Sequence, residues 1–193
     1  MAQLKMGDTT LISDSSGTPT IQSGLNFAAG HILQVVTNTD NTEYGVTTGT
    51  TPYEIPTIST TITLKQTNSK VLINFNFGAV VFQDTGNLGY GKVMFKIGSG
   101  SYSDVTPMGS AAVVGSYYHH MAVNYTDHSY QVDAGPSMIV VHSTGITKDT
   151  EITYAPFFFG EGTSADLFIN RSFRNSPADF AAMSSCTLME IAT

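Results

Sequence analysis

The sequence predicts an all-β protein: an antiparallel sandwich of jelly-roll type, preceded by an extended N-terminal arm. The first observation behind this is a period of two, clearest between Lys70 and Phe82. There Val71, Ile73, Phe75 and Phe77 alternate with Leu72, Asn74 and Asn76. Successive side chains of an extended chain point to opposite faces, so this pattern marks a half-buried strand. The second observation is that roughly eight to ten such segments follow one another without helices between them. An Ig-like sandwich is the nearest competitor, but the chain has no Trp and only one cysteine, so the usual marks of that fold are missing.

Residues 1–30 are read as an arm and 31–193 as the sandwich domain. The arm is polar and punctuated by glycine. Gly7-Asp8-Thr9-Thr10-Leu11-Ile12-Ser13 is echoed ten positions later by Gly17-Thr18-Pro19-Thr20-Ile21-Gln22-Ser23. Two copies are too few for a repeat fold. A lone strand pair cannot bury its apolar side, whereas three arms brought together could share theirs; a disordered tail is the bland alternative.

Gly30 opens the first domain strand, His31 to Thr37, and Asn38 to Thr51 reads as a long loop or a short strand around Tyr44–Val46. Ile58, Thr60, Ile62 and Leu64 alternate, and the turn Thr67-Asn68-Ser69 follows. In Lys70–Phe82, Gly78 interrupts the pattern as a bulge or bend. Asp84–Asn87 is a turn, then Gly91, Val93, Phe95 and Ile97 form a strand closed by Gly98-Ser99-Gly100. Tyr117 to Tyr125, Met138 to His142, the pair Ile152 and Tyr154, and the pair Leu167 and Ile169 mark four more. Pro156 puts its strand at an edge or a bulge. Ser176-Pro177-Ala178-Asp179 has the cap-then-proline signature of a helix of one or two turns. The last strand, Ser185 to Ala192, carries Met189 and Ile191 on one face and Cys186 and Leu188 on the other.

At 193 residues the chain is long enough for a proper core. Only 12% of its residues are charged, against about 25% in an ordinary domain, which fits a surface covered by partners in an assembly. A net charge of -7 argues against nucleic acid, which requires a basic stripe. The single cysteine, Cys186, excludes a disulfide framework. No apolar run approaches the about 18 residues of a membrane span, and no charged-then-apolar leader is expected.

No chemistry stands out. His119 and His120 are adjacent and so point to opposite faces of a strand. His119 with Met121, or His120 with His128 or His142, would need cross-strand assembly without HxH or HExxH spacing. A core or interface histidine is the better reading, and a histidine ring on a three-fold axis is the alternative. Asp40-Asn41-Thr42-Glu43 lacks the ligand alternation and central glycine of a calcium loop, so a solvated turn is expected. Asp149 and Glu151, two apart on an expected strand, share a face as a glycosidase pair does, but nothing desolvates them. Ser110 and Ser116 lack a GxSxG elbow, and Gly98-Ser99-Gly100 lacks the helix and lysine of a phosphate loop. The reading is of no enzyme, no metal and no cofactor.

Phe157-Phe158-Phe159 is more informative. Three consecutive aromatics require cover on both faces of a strand: the domain's own core on one side and, by expectation, a neighbouring subunit on the other. The last strand is apolar on both faces as well. The candidate homotrimer interface is therefore Phe157, Phe158, Phe159, Cys186, Leu188, Met189 and Ile191.

Several phrases carry a resemblance: Gly30-His31-Ile32-Leu33-Gln34-Val35-Val36, Asn68-Ser69-Lys70-Val71-Leu72-Ile73, His119-His120, Phe168-Ile169-Asn170-Arg171-Ser172 and, most distinctively, Thr187-Leu188-Met189-Glu190-Ile191-Ala192. Over residues 30–193 the chain resembles small β-rich virion proteins of tailed bacteriophages, especially those of marine bacteria and cyanobacteria. The resemblance implies a trimeric jelly-roll knob on a head or tail appendage, a short fibre or a capsid decoration, located in the virion. It supplies no catalytic residues. Phe173 to Ser184 departs from the glycine-rich aromatic stretch usual before the last strand. The arm is expected to join the knob to other virion proteins. A receptor-binding adhesin for host surface glycan is the alternative function.

Overall fold

The computed structural model describes residues 3–6, 9–14, 19–21, 28–48, 50–83, 89–105, 130–133, 137–160, 165–171 and 182–193. The expected strand at Tyr117–Tyr125 and helix at Ser176–Asp179 lie outside these residues, as do His119, His120 and His128. The described chain is all-β with antiparallel pairing. Its one helical element is a single 3-10 turn, Pro56–Ile58.

The arm forms a small sheet of its own from β1 (Gln3–Met6), β2 (Thr9–Asp14) and β3 (Pro19–Ile21), in that order. Among the described residues these strands pair with one another and pack against no strand of the domain beyond marginal contact.

One layer of the domain is built from four chain passes, each broken at the same level. The passes are β4 (Ile32–Asp40) into β5 (Tyr44–Thr48), β8 (Lys70–Asn76) into β9 (Val80–Gln83), β12 (Tyr130–Asp133) into β13 (Ser137–Ser143), and β15 (Ala165–Ile169) into β16 (Ser184–Ile191). Below the break the order is β13-β8-β16-β4, and above it the same four passes run β12-β9-β15-β5. The single strand expected over Lys70–Phe82 thus spans both halves, with the bend at Gly78. Glycine is required there, because a Cβ would stand 2.6 Å from both the Ala182 Cβ and the Met183 nitrogen.

Asn170 holds this crease together. It is fully buried and left-handed (φ 62°), a conformation that asparagine tolerates better than most residues. Its Nδ2 donates to the Asp40 carbonyl (3.0 Å) and the Thr42 carbonyl (3.3 Å), and its Oδ1 accepts from the Ser184 hydroxyl (2.6 Å). Its N–H donates to the Ala79 carbonyl, and its own carbonyl accepts from the Ala182 N–H. Three of the four passes are tied at this one side chain and its backbone.

The second layer runs β11 (Ser103–Asp104), β10 (Gly89–Ile97), β14 (Glu151–Gly160), β6 (Tyr53–Glu54), with β7 (Thr60–Thr63) also pairing with β14. Pro156 lies inside this layer and not at its edge. The flanking strand breaks between β6 and β7 at the 3-10 turn, and there Ile55 N–H donates to the Pro156 carbonyl. In a strand the N–H and C=O of one residue face the same side, so the missing proline N–H meets this break and costs no ladder bond.

The layers share one core. It includes Ile73 and Phe75 from β8, Leu188 from β16, Leu167 from β15 and Ile152, Tyr154 and Phe158 from β14. Phe77 at the crease meets Phe158 edge-on across the layers at 5.1 Å. Each such fully buried apolar side chain contributes about 1.5–3 kcal/mol. Where β4 flanks the second layer, amides bridge the two: Asn38 Nδ2 donates to the Thr57 and Ser59 carbonyls, and Gln34 Nε2 to the Thr63 carbonyl.

Candidate interaction surface

Strands β13, β8, β16 and β4 present two faces with different surroundings. Inward face Met138, Val140 and His142, then Val71, Ile73 and Phe75, then Cys186, Leu188 and Glu190, all buried. Outward, the pairing register aligns Val141 with Leu72, Leu72 with Met189, and Met189 with Val35. This makes one apolar row across four strands. Ile139 stands on one flank, Ile32 and Ile191 on the other. Ile32 is 58% exposed, Ile139 56%, Val35 52% and Val141 41%, and no second layer among the described residues covers them. Isolated exposed aliphatics are ordinary on a surface; a row of them in register is a candidate contact site.

The seven residues expected at an interface divide between the two faces. Phe158, Cys186 and Leu188 are fully buried and Phe157 is 8% exposed, all within the single chain. The second cover expected over the phenylalanine run comes from the chain itself at Phe157. The Tyr102 ring meets Phe157 edge-on at 4.9 Å, and its hydroxyl donates to Glu54 Oε1 (2.7 Å). Phe159 is half-buried. Met189 and Ile191 alone of the seven belong to the outward face of the β4–β16–β8–β13 sheet.

Two buried polar groups stand on the inward face, and of these only Glu190 was not singled out from sequence. Glu190 Oε1 and Oε2 accept from the Lys65 N–H at 2.9 Å, Oε1 also from the Gln66 N–H (3.0 Å), and Oε2 from Gln34 Nε2 (2.6 Å). Two backbone N–H groups and the Gln34 side-chain amide, not a cation, satisfy this carboxylate, and it staples the 65–66 loop to the last strand. Its parity was readable: it follows Cys186 and Leu188 at intervals of two. His142 is the second. Its Nδ1 shares a 2.8 Å hydrogen bond with the Tyr154 hydroxyl, and Phe95 packs on its ring at 4.4 Å between centroids. Burial holds the His142 imidazole below its ordinary value. Burial raises the Tyr154 hydroxyl, and the Glu190 charge adds to the effect. His142 is therefore a core residue, engaged with Tyr154.

The remaining candidates among the described residues lie in turns, at a strand start or in the core. Asp40 Oδ1 accepts from the Thr42 N–H and hydroxyl at 3.2 and 2.7 Å, a closed turn. Burial pushes the Asp40 carboxyl up, but the hydrogen bonds from Thr42 and Thr57 together bring it below its ordinary value. Asp149 does not share a strand face with Glu151. It occupies a left-handed turn (φ 66°) just before β14, and both carboxylates are exposed. Gly98 (φ 53°) turns the chain from β10 towards β11. Burial pushes the Cys186 thiol up to about 11, which makes it an inert core group. Ser110 and Ser116 lie outside the described residues. Among those described, no group of three or more His, Cys, Asp or Glu is placed to hold a metal ion, and no helix is long and apolar enough to cross a membrane.

A shallow groove of about 290 Å³ opens over β5 and β15, lined by Gly45, Val46, Thr47, Asp166, Phe168 and Arg171. The Arg171 guanidinium lies 4.3 Å from the Phe168 ring centre, and Asp166 accepts from the Thr47 hydroxyl at 2.6 Å. No family model matches the chain, and no curated protein is significantly similar to it.

Proposed function

We propose that this chain is a virion structural protein, a short trimeric knob, fibre or capsid decoration of jelly-roll architecture, without catalytic activity. The observation that carries this reading is the outward apolar row Val141–Leu72–Met189–Val35, on a chain whose described polar clusters are spent on its own folding. Asn170 ties a crease, Glu190 ties a loop and His142 is held in the core. The outward row would then offer a surface for assembly.

The phrases that resemble phage virion proteins support the reading in a second way. Asn170 and Glu190 are the buried staples within two of them. In a third, the Ser69 carbonyl accepts from the Thr144 N–H and hydroxyl, and Asn68 makes the left-handed turn before β8. These are residues a shared fold would need. The separate arm sheet suits attachment to other virion proteins.

The test is mass by light scattering, together with the position of the chain in a reconstruction of the particle. A trimer on the particle surface is expected. A folded monomer absent from particles would overturn the reading. The glycan-binding alternative finds a place in the groove beside Phe168, Arg171 and Asp166, where an aromatic ring adjoins hydrogen-bonding groups. A glycan screen that gives a ligand lost in Asp166→Ala would favour it.

A further inference from the structure

We infer that the groove over β5 and β15 is a subsite for one neutral sugar ring. Two adjacent ring hydroxyls bond to Asp166 and Arg171, and the ring does not stack on Phe168. The inference rests on the glycan-binding reading of this groove and names the class of sugar it takes.

The pairing register builds the groove two by two. Asp166 lies opposite Thr47 and Phe168 opposite Gly45, so alternate residues of two neighbouring strands put all four on one face. The Thr47 hydroxyl donates to Asp166 Oδ1 at 2.6 Å, which fixes the carboxylate on that face. Beside it, the Arg171 guanidinium lies 4.3 Å from the centre of the Phe168 ring. Gly45 leaves room for this pair. A Cβ there would stand 3.1 Å from Arg171 Nη2 and 3.1 Å from Phe168 Cδ1.

Charge selects against an acidic ligand. The groove sets one carboxylate beside one guanidinium, on a chain of net charge -7. A sugar with its own negative charge meets repulsion from Asp166 and from the chain at large. Hydrogen-bonding type selects hydroxyls. An ionised carboxylate only accepts and a guanidinium only donates, whereas a hydroxyl does both. Of two hydroxyls on adjacent ring carbons, one donates to Asp166 and the other accepts from Arg171. Such bonds to charged groups are the strong ones. The guanidinium over Phe168 already takes the ring face on which a sugar would stack. The volume of about 290 Å³ falls just below the about 300–1,000 Å³ usual for ligand sites, which suits one ring and not a chain of them.

Titration of the full-length chain with the methyl glycosides of glucose, galactose and mannose tests this, with glucuronate as the acidic comparison. Saturation-transfer NMR and calorimetry read the binding. At least one neutral glycoside is expected to bind, and glucuronate about tenfold more weakly or not at all. Asp166→Asn and Arg171→Gln should each weaken the neutral glycoside about tenfold, with the unfolding midpoint unchanged. Asp166→Asn keeps an oxygen for the Thr47 hydroxyl, so its loss of binding reports the charge and not the fold. Glucuronate binding as tightly as the neutral glycosides would overturn the neutral class and leave the glycan-binding reading standing. Neutral binding that survives both substitutions would place the sugar elsewhere and overturn the subsite. No binding by either class would reject the glycan-binding reading, and the inference with it.

Discussion

The inward and outward faces of β4, β16, β8 and β13 are made by the same four strands from alternate residues, and both are rich in aliphatic side chains. They differ in their polar groups. The inward face contains Glu190 and His142, and both have hydrogen-bond partners within the chain. The outward face has no comparable staple; Asn74, between Ile139 and Thr187 in the register, has a covered Oδ1 without a hydrogen-bond partner. A face finished by its own chain matches its polar atoms, because a buried unpaired group costs about 1–3 kcal/mol. On these two faces, then, hydrophobicity is shared, and what differs is that Glu190 and His142 are paired within the chain while Asn74 Oδ1 is not.

The sharpest way to break the comparison is Glu190→Ala. Three donors, the Lys65 and Gln66 N–H groups and the Gln34 amide, lose their acceptor together. The expected loss is about 3 kcal/mol or more in urea denaturation, with Glu190→Gln losing about 1–2 because one oxygen remains. A loss under about 0.5 kcal/mol for the alanine variant would mean that water replaces the staple freely.

An intermediate effect is expected from pH. The His142 imidazole titrates in the folded chain below its ordinary value of 6.5. The unfolded chain therefore takes up a proton that the folded chain refuses, so the stability from the neutral ring is complete above about pH 6.5 and is lost as pH falls through the folded value. Unfolding measured between pH 7 and 5 should show a smaller decline in His142→Phe than in the natural chain. Equal declines would remove His142 as the cause.

The smallest effect on folding, and the largest on assembly, belongs to the outward face. Val35→Lys with Ile139→Lys should change the stability of the dissociated chain by no more than about 0.5 kcal/mol for each site. If the proposed trimer uses this face, the mass in light scattering should fall from trimer to monomer. Should the mass stay trimeric, the contact lies elsewhere on the molecule.

The strand period, the all-β class and the bend at Gly78 were legible in the sequence because they are local. Alternation follows from the geometry of an extended chain, and glycine marks a place where backbones approach. The two-sided apolar character of the last strand was legible for the same reason. Tertiary structure decided which side of each strand faces its own core. Period two separates Cys186 and Leu188 from Met189 and Ile191 without saying which pair is covered, and by what. It also decided the cover over Phe157, which comes from Tyr102 on a loop 55 positions away in sequence. The staple at Glu190 joins groups 125 residues apart, through backbone N–H donors that every residue type but proline carries. Such an amide leaves no mark in the sequence, so the partners of a buried carboxylate become visible only when the chain has folded around it.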